Sequence, residues 1–482
     1  MLEQTHVPQN PGLRQGALSI GFVIFFVVSA ASPLSVLAGG FPIGIMLGNG
    51  AGTPALLLAT LGILLIFSAG YTAMARHVTN AGGFYAFTCR GVGGLIGGGA
   101  GMLAMFCYNI LQIGIYGLFG AVVSDTMSST FHIALPWWVW SFIALASIAV
   151  LGYRQIDLSA RLLSVMVTAE YISILILDAC ILFKGGQAGV NLDAFTPASV
   201  SSGSPSIGLL FCFAAFIGFE ATTIYGEEAK DPKRAIPIAT FVAVLLIGGF
   251  YSLSLWSMVV GAGASKIVPM LQAMQDPTTF IYGLSDHYAG HTLTAVIRVL
   301  FMVSIYAGLL AFHNSAARYF FASGRDRLLP QMLGRAHGSH QSPHIGSVLQ
   351  SVIAASVVGI FALAGADPVL QLFAWLSNVA TLCVILLMAI TSVAVIGFFR
   401  RNGALGESRV RTIVLPAISC VLLIYVLVTA IKHFDVLTGA SGWLADLLCS
   451  LIPLALILGI ALAARLRRVS IEHYRRLGAH TV

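Results

Sequence analysis

The feature that most limits what this chain can become is its succession of apolar runs, each about 20 residues or longer, divided by short polar or Gly/Pro-rich breaks. A helix needs about 20 such residues to cross a hydrocarbon core of about 30 Å. In lipid every backbone polar group must be satisfied within the spanning structure, which leaves helices or a closed barrel. The ten-residue alternating strands of a barrel are absent from the sequence. Charge is sparse to match: 9% of the 482 residues, against roughly 25% in soluble domains. An ordinary globular enzyme is excluded, and the expected class is an all-α membrane protein.

Twelve spans are read from the runs: span 1 at 16–47, span 2 at 53–76, span 3 at 92–124, span 4 at 137–153, span 5 at 158–183, span 6 at 206–226, span 7 at 236–262, span 8 at 292–322, span 9 at 343–364, span 10 at 368–399, span 11 at 411–431 and span 12 at 442–464. With a cytoplasmic N-terminus, 21 of the 25 Lys and Arg fall on the cytoplasmic side. The opposite side keeps only Lys184, Lys266 and Lys432, and Arg298 lies inside a span. The positive-inside rule then sets both termini in the cytoplasm of a multi-pass protein of the cytoplasmic membrane. This distribution accounts for the net charge of +7 without a nucleic-acid partner. Residues 1–15 are polar and the run after them is too long for a signal h-region, so the first span is expected to stay. The polar tails 1–14 and 469–482 are expected to be mobile.

Span 1 carries Ser29-Ala30-Ala31-Ser32-Pro33 at its centre. Proline removes an amide donor and clashes with the preceding turn, yet Ser-Pro is also how a new helix begins, with serine at the N-cap and proline first. The span therefore reads as two half-helices, whose amides at Leu34 and Ser35 form a positive end suited to a carboxylate. A plain proline kink is the alternative. Span 6 has Gly218 and Glu220 at mid-depth, where glycine weakens a helix and a carboxylate costs about 2.5–3.5 kcal/mol without partners. A second break over Phe216, Ile217, Gly218, Phe219 and Glu220 follows, with carbonyls from Ala215 to Gly218 free to hold an ammonium group. Glu220 could equally serve only to bond amides of the break. Spans 1 and 6 each open a five-span set, 16–184 and 206–400, and interrupted helices at matching positions of two halves point to an inverted-repeat transporter. The segment 410–466 then holds two further helices, and 467–482 a cytoplasmic tail.

Four stretches carry a resemblance to the amino acid-polyamine-organocation permeases. They are Arg76-His77-Val78-Thr79-Asn80-Ala81-Gly82-Gly83-Phe84-Tyr85; Phe216 to Glu220 with the loop from Glu227 through Pro237; Asn314-Ser315-Ala316-Ala317-Arg318 with Gly324 to Pro330; and Pro343 opening span 9. The resemblance implies a LeuT-like fold of two inverted five-helix repeats plus two peripheral helices, and alternating access. One departure from the family it resembles is that span 1 has Ser29 to Pro33 where the family's usual break is a Gly-Ser-Gly type sequence, which leaves fewer bare amides for an α-carboxylate. The implied substrate is an amino acid or a related amine. In proton-linked relatives a lysine can stand beside the span 1 break, and Glu170 of span 5 falls at the matching position. Glu170 is thus the candidate proton carrier; a permanently protonated interhelical acid is the other reading.

Asp178 and Arg298 lie at similar depths on spans 5 and 8, which the family fold puts side by side, and are expected to pair as an outer salt bridge. Tyr108, Gln112 and Tyr116 share one face of span 3 at spacing four; Tyr108 and Gln112 are candidate substrate contacts, though such residues also join helices. The glycines of 91–101 read as close helix packing. The seven cysteines lack metal-ligand spacing. No Walker motif and no HExxH pattern is present in the sequence, so no catalytic residue, metal or cofactor is expected. The leading function is a proton-coupled importer; an exchanger is the alternative. The expected partners are the small substrate, protons and the bilayer, with no obligate protein partner.

Overall fold

The computed structural model describes residues 19–78, 82–154, 160–224, 229–338, 342–439 and 442–478. The N-terminal tail, residues 79–81 of the first family stretch and residues 225–228 of the loop after span 6 lie outside the described residues.

Ten helical stretches among the described residues are long and apolar enough to cross a membrane. One of them, Ser35–Ala75, joins the second half of span 1 to span 2. The others correspond to spans 3–5 and 7–12. Span 1 and span 6 are the two that do not form a single long helix. Span 1 begins as the helix Ile20–Ala30, and span 6 as the helix Pro205–Ala214, resumed over Ala221–Ile224. Span 3 is the helix Gly94–Phe131, running past its expected end at 124. It and span 10, Pro368–Asn402, are the most enclosed elements, while spans 4, 9 and 12 leave most of their surface outward. Such outward apolar surface suits lipid contact.

The glycine-rich start of span 3 packs closely, as its composition requires. A Cβ on Gly459 of span 12 would stand 2.3 Å from the Gly98 carbonyl oxygen, so the two backbones touch where neither can carry a side chain. At the opposite end of the molecule, the Asn49 amide donates to the carbonyls of Ser199, Val200 and Ser202, tying the far end of span 1 to the segment that leads into span 6. The two interrupted spans are thereby anchored to each other.

The C-terminal segment departs from expectation. After the short helix Ile471–Arg475, Leu477 is buried against Tyr85, Leu328 and Ala463. The Gly478 amide donates to Asp326 Oδ2 at 3.1 Å, and the Tyr85 hydroxyl donates to the same oxygen at 2.6 Å. Leu477 and Tyr474 supply apolar surface that a freely trailing tail would leave in water, which is why the segment docks as far as residue 478.

Candidate functional site

At the span 1 break the helix ends at Ala30, and Ser32 sits in the left-handed region with φ 44°. That conformation costs an L-residue roughly 1–2 kcal/mol, so surrounding contacts must hold it. Tyr251 of span 7 donates its hydroxyl to the Ala31 carbonyl at 3.1 Å, and Ser32 Oγ donates to the Ser304 carbonyl of span 8 at 3.2 Å. Helical backbone resumes at Pro33 and Leu34. Gly308, one turn along span 8, provides the space: a Cβ there would lie 2.7 Å from Ser32 Oγ. Ser32 therefore reaches across to span 8 rather than capping the amides that follow it.

The positive end so created is already engaged. Leu34 N–H donates to Glu170 Oε2 at 3.4 Å, and Ser304 Oγ donates to the same oxygen at 2.7 Å. Glu170 is 2% exposed, and it binds spans 1, 5 and 8 at one point. Mid-depth position on span 5 was legible from sequence; the particular donors were not.

Span 6 is broken by a run of turns over residues 215–220, in which Gly218 has φ 112°. Phe216 N–H reaches back only three residues, to the Phe213 carbonyl, as does Ile217 N–H to Ala214 and Phe219 N–H to Phe216. Glu220 caps this turn with its own side chain, Oε2 accepting from Gly218 N–H at 3.0 Å. Its other oxygen accepts a short hydrogen bond from Tyr108, whose ring stacks on Tyr319 at 5.2 Å between centroids. Tyr71 of span 2 donates to the Glu220 carbonyl at 3.1 Å. The carboxylate thus satisfies the break, and Tyr108 serves it rather than an open pathway.

Between the two breaks lies a cavity of about 80 Å³. One water needs about 10–15 Å³ by this measure, so the space suits a small molecule. Of the residues expected at the site, Ala31, Ser32, Ala215 and Ile217 line it. Pro33, Leu34, Phe216, Gly218, Phe219 and Glu220 belong to the breaks but not to the lining, and Ala30 is the last residue of the first half-helix. Ser35, whose amide the sequence placed at the positive end, also lines the cavity; sequence reasoning missed Val36 and Phe41 beyond the break, Leu111, Ile115 and Leu118 on span 3, and Ser377 and Asn378 on span 10. The signal for the last two was a polar pair inside the apolar run of span 10.

Two expectations are corrected. Gln112 does not face the cavity. Its amide donates to the Tyr116 hydroxyl and the Leu309 carbonyl, meets His313 Nδ1 at 3.2 Å and accepts a short bond from Gln350. These bonds hold Gln112 between spans 3, 8 and 9, and the span 3 residues that line the cavity are the apolar Leu111, Ile115 and Leu118. Asp178 and Arg298 do not pair either. Asp178 Oδ2 accepts from Ser254 Oγ at 2.6 Å, whereas Arg298 bridges Asp125 Oδ2 at 3.2 Å and covers the Tyr282 ring at 4.2 Å. Asp125 was hidden from the sequence reading because it stands one residue beyond the end assigned to span 3.

A broken pair of helices around a cavity is transporter architecture, and the family comparison agrees: residues 19–449 match the amino acid permease model. The chain belongs to the amino acid permease family. It is 23% identical over 308 residues to the low-affinity putrescine importer PlaP of Escherichia coli K12, covering 61% of this chain and 64% of that protein. It is 25% identical over 379 residues to the branched-chain amino acid permease BcaP of Bacillus subtilis, covering 73% and 76%. A third relative is the methylthioribose transporter of Bacillus subtilis, 26% identical over 152 residues and 31% of each chain. The matched part thus spans less than two thirds of the putrescine importer and under one third of the methylthioribose transporter. These relatives are transporters by name, and this permease is a multi-pass membrane protein rather than an enzyme.

Proposed function

We propose that this permease imports an amino acid or related amine across the cytoplasmic membrane by alternating access, in symport with a proton carried by Glu170. In this reading spans 1 and 6 each cross as a broken helix, giving twelve crossings. Segments 16–184 and 206–400 are inverted five-helix repeats, 410–466 adds two peripheral helices, and both termini are cytoplasmic. The bias of Lys and Arg supports that orientation. Relatives named for putrescine and for branched-chain amino acids are the reason both substrate classes enter the proposal.

The observation that carries the reading is the bond from Leu34 N–H to Glu170. It lets one carboxyl compete with a substrate carboxylate for the amide at the span 1 break. A proton on Glu170 weakens its oxygens as acceptors and releases that amide, so proton and substrate load together. Loss of the proton to the cytoplasm restores the internal bond and favours substrate release. Ala30 to Leu34 and Ala215 to Glu220 form the two sides of the grip, Tyr108 holding Glu220 in place.

The test compares wild-type protein with Glu170→Gln in proteoliposomes. Glutamine keeps the shape of the protonated acid without releasing a proton. Uptake driven by an inward proton gradient should vanish while counterflow exchange persists. The same pH dependence of uptake in both proteins would remove Glu170 from the coupling step. Wild-type uptake that needs internal substrate and ignores the gradient would instead favour exchange.

A further inference from the structure

The cavity is uneven in its chemistry. Among the described residues that line it there is no Asp, Glu, Lys, Arg or His. Glu170 and Glu220 are not among the lining residues: Glu170 Oε2 accepts from Leu34 N–H and Ser304 Oγ, and both oxygens of Glu220 accept from the protein's own donors. Much of the remaining surface is aliphatic or aromatic, with Leu111, Ile115 and Leu118 from one face of span 3 opposed by Ile305, Phe312 and Phe373.

Three residues of the lining each carry a buried oxygen without a hydrogen-bond partner: Ser35 Oγ, Ser377 Oγ and Asn378 Oδ1. Asn378 is the most constrained. It is 1% exposed, and its Nδ2 donates to the Ala374 carbonyl at 2.7 Å. Only the nitrogen of an amide can donate to a carbonyl, so the side chain cannot be turned over, and Oδ1 is left as a pure acceptor. A buried acceptor without a donor is a destabilised group waiting for one. The two hydroxyls can either donate or accept.

From this we infer that the substrate is a zwitterionic amino acid with an uncharged, apolar side chain of about leucine size, one of whose ammonium N–H groups is accepted by Asn378. A zwitterion brings both charges on one small head, and Asn378, the serine hydroxyls and the broken-helix backbone are the polar groups the lining offers it. Its side chain then meets only apolar surface. A diamine, or an amino acid with a charged side chain, would carry a further ion to a wall that offers no opposite charge, and stripping that ion of water is unfavourable. A polyhydroxylated sugar would bury more hydroxyls than the lining can satisfy. The inference rests on the permease reading above and narrows its substrate class.

The experiment is competition against radiolabelled leucine on purified protein in nanodiscs, with uptake measured in parallel. Unlabelled leucine, isoleucine and valine should displace the label, whereas putrescine, lysine and glutamate should bind at least a hundred-fold more weakly. Asn378→Leu should weaken leucine binding tenfold or more while the protein stays monodisperse. Asn378→Asp places a carboxylate in the cavity and should let putrescine and lysine compete. Putrescine or lysine binding wild-type protein as tightly as leucine would overturn the inference and leave the permease reading intact. Undiminished leucine affinity in Asn378→Leu would overturn the role of Asn378. Failure of every amino acid and amine to bind or enter would strike the permease reading itself. Wild-type competition decides the substrate class even where a variant folds poorly.

Discussion

Ser32 offers the sharpest perturbation of the span 1 break, because its left-handed backbone makes opposite forecasts for two small substitutions. Ser32→Gly removes a conformational cost of about 1–2 kcal/mol. It also gives up the bond to the Ser304 carbonyl, worth about 0.6 kcal/mol between helices in a membrane, and adds about 0.5–1 kcal/mol of unfolded-chain entropy. The sum leaves the glycine variant within about 1 kcal/mol of wild type. Ser32→Val also loses the bond and must place a β-branched side chain at φ 44°, where valine is strongly disfavoured. Valine also adds a second γ-carbon, which must be fitted into the buried contact that Ser32 makes with span 8. Overpacking of this kind costs about 1–3 kcal/mol, so the valine variant should lose roughly 3 kcal/mol in all, more than a hundred-fold in equilibrium. Thermal unfolding of purified protein and proteoliposome uptake read the two. Glycine should keep both near wild type and valine should lose both. Equal stability and equal uptake in the two variants would refute a left-handed break at residue 32.

Two further outcomes follow from other parts of the site and its surroundings. Tyr108→Phe deletes the donor to Glu220 Oε1 and leaves a buried acceptor worth about 1–3 kcal/mol unsatisfied; a lower unfolding midpoint and slower uptake are expected, and an unchanged midpoint would show that the span 6 break does not need this tyrosine. In the loop outside span 8, burial holds the Asp276 carboxyl above its ordinary range despite its bond to the Thr278 amide, with Asp125 and Asp367 adding repulsion. A raised carboxyl weakens the fold once pH exceeds its unfolded value, so Asp276→Asn should stabilise at neutral pH, and the gain should fade as pH drops toward 3.8. A gain confined to acid would reverse the sign of this argument.

The features that sequence made legible are those that lipid penalises. Proline after Ser32, glycine at 218 and a carboxylate at 220 are conspicuous inside apolar runs, and each coincides with an interruption. Glu170 was equally visible, the resemblance implied its place beside the span 1 break, and it accepts from Leu34 N–H there. Azimuth around a helix was much harder to read. Asp178 and Arg298, expected at similar depths, have different partners, Ser254 and Asp125. The polar face of span 3 looked like a binding surface, yet Gln112 has its partners on spans 8 and 9. Asn378 escaped notice because an isolated amide in an apolar run reads as helix glue until its free oxygen is located.

The central claim is that substrate occupies the cavity between the two breaks, and equilibrium binding tests it most directly. Ala215 lines that cavity and is 2% exposed, whereas Leu454 on span 12 is 60% exposed on the outer surface. Radiolabelled leucine should bind wild-type protein and Leu454→Trp at one site per chain, and Ala215→Trp, monodisperse but with its cavity filled, should bind none. Full binding to Ala215→Trp would contradict the account.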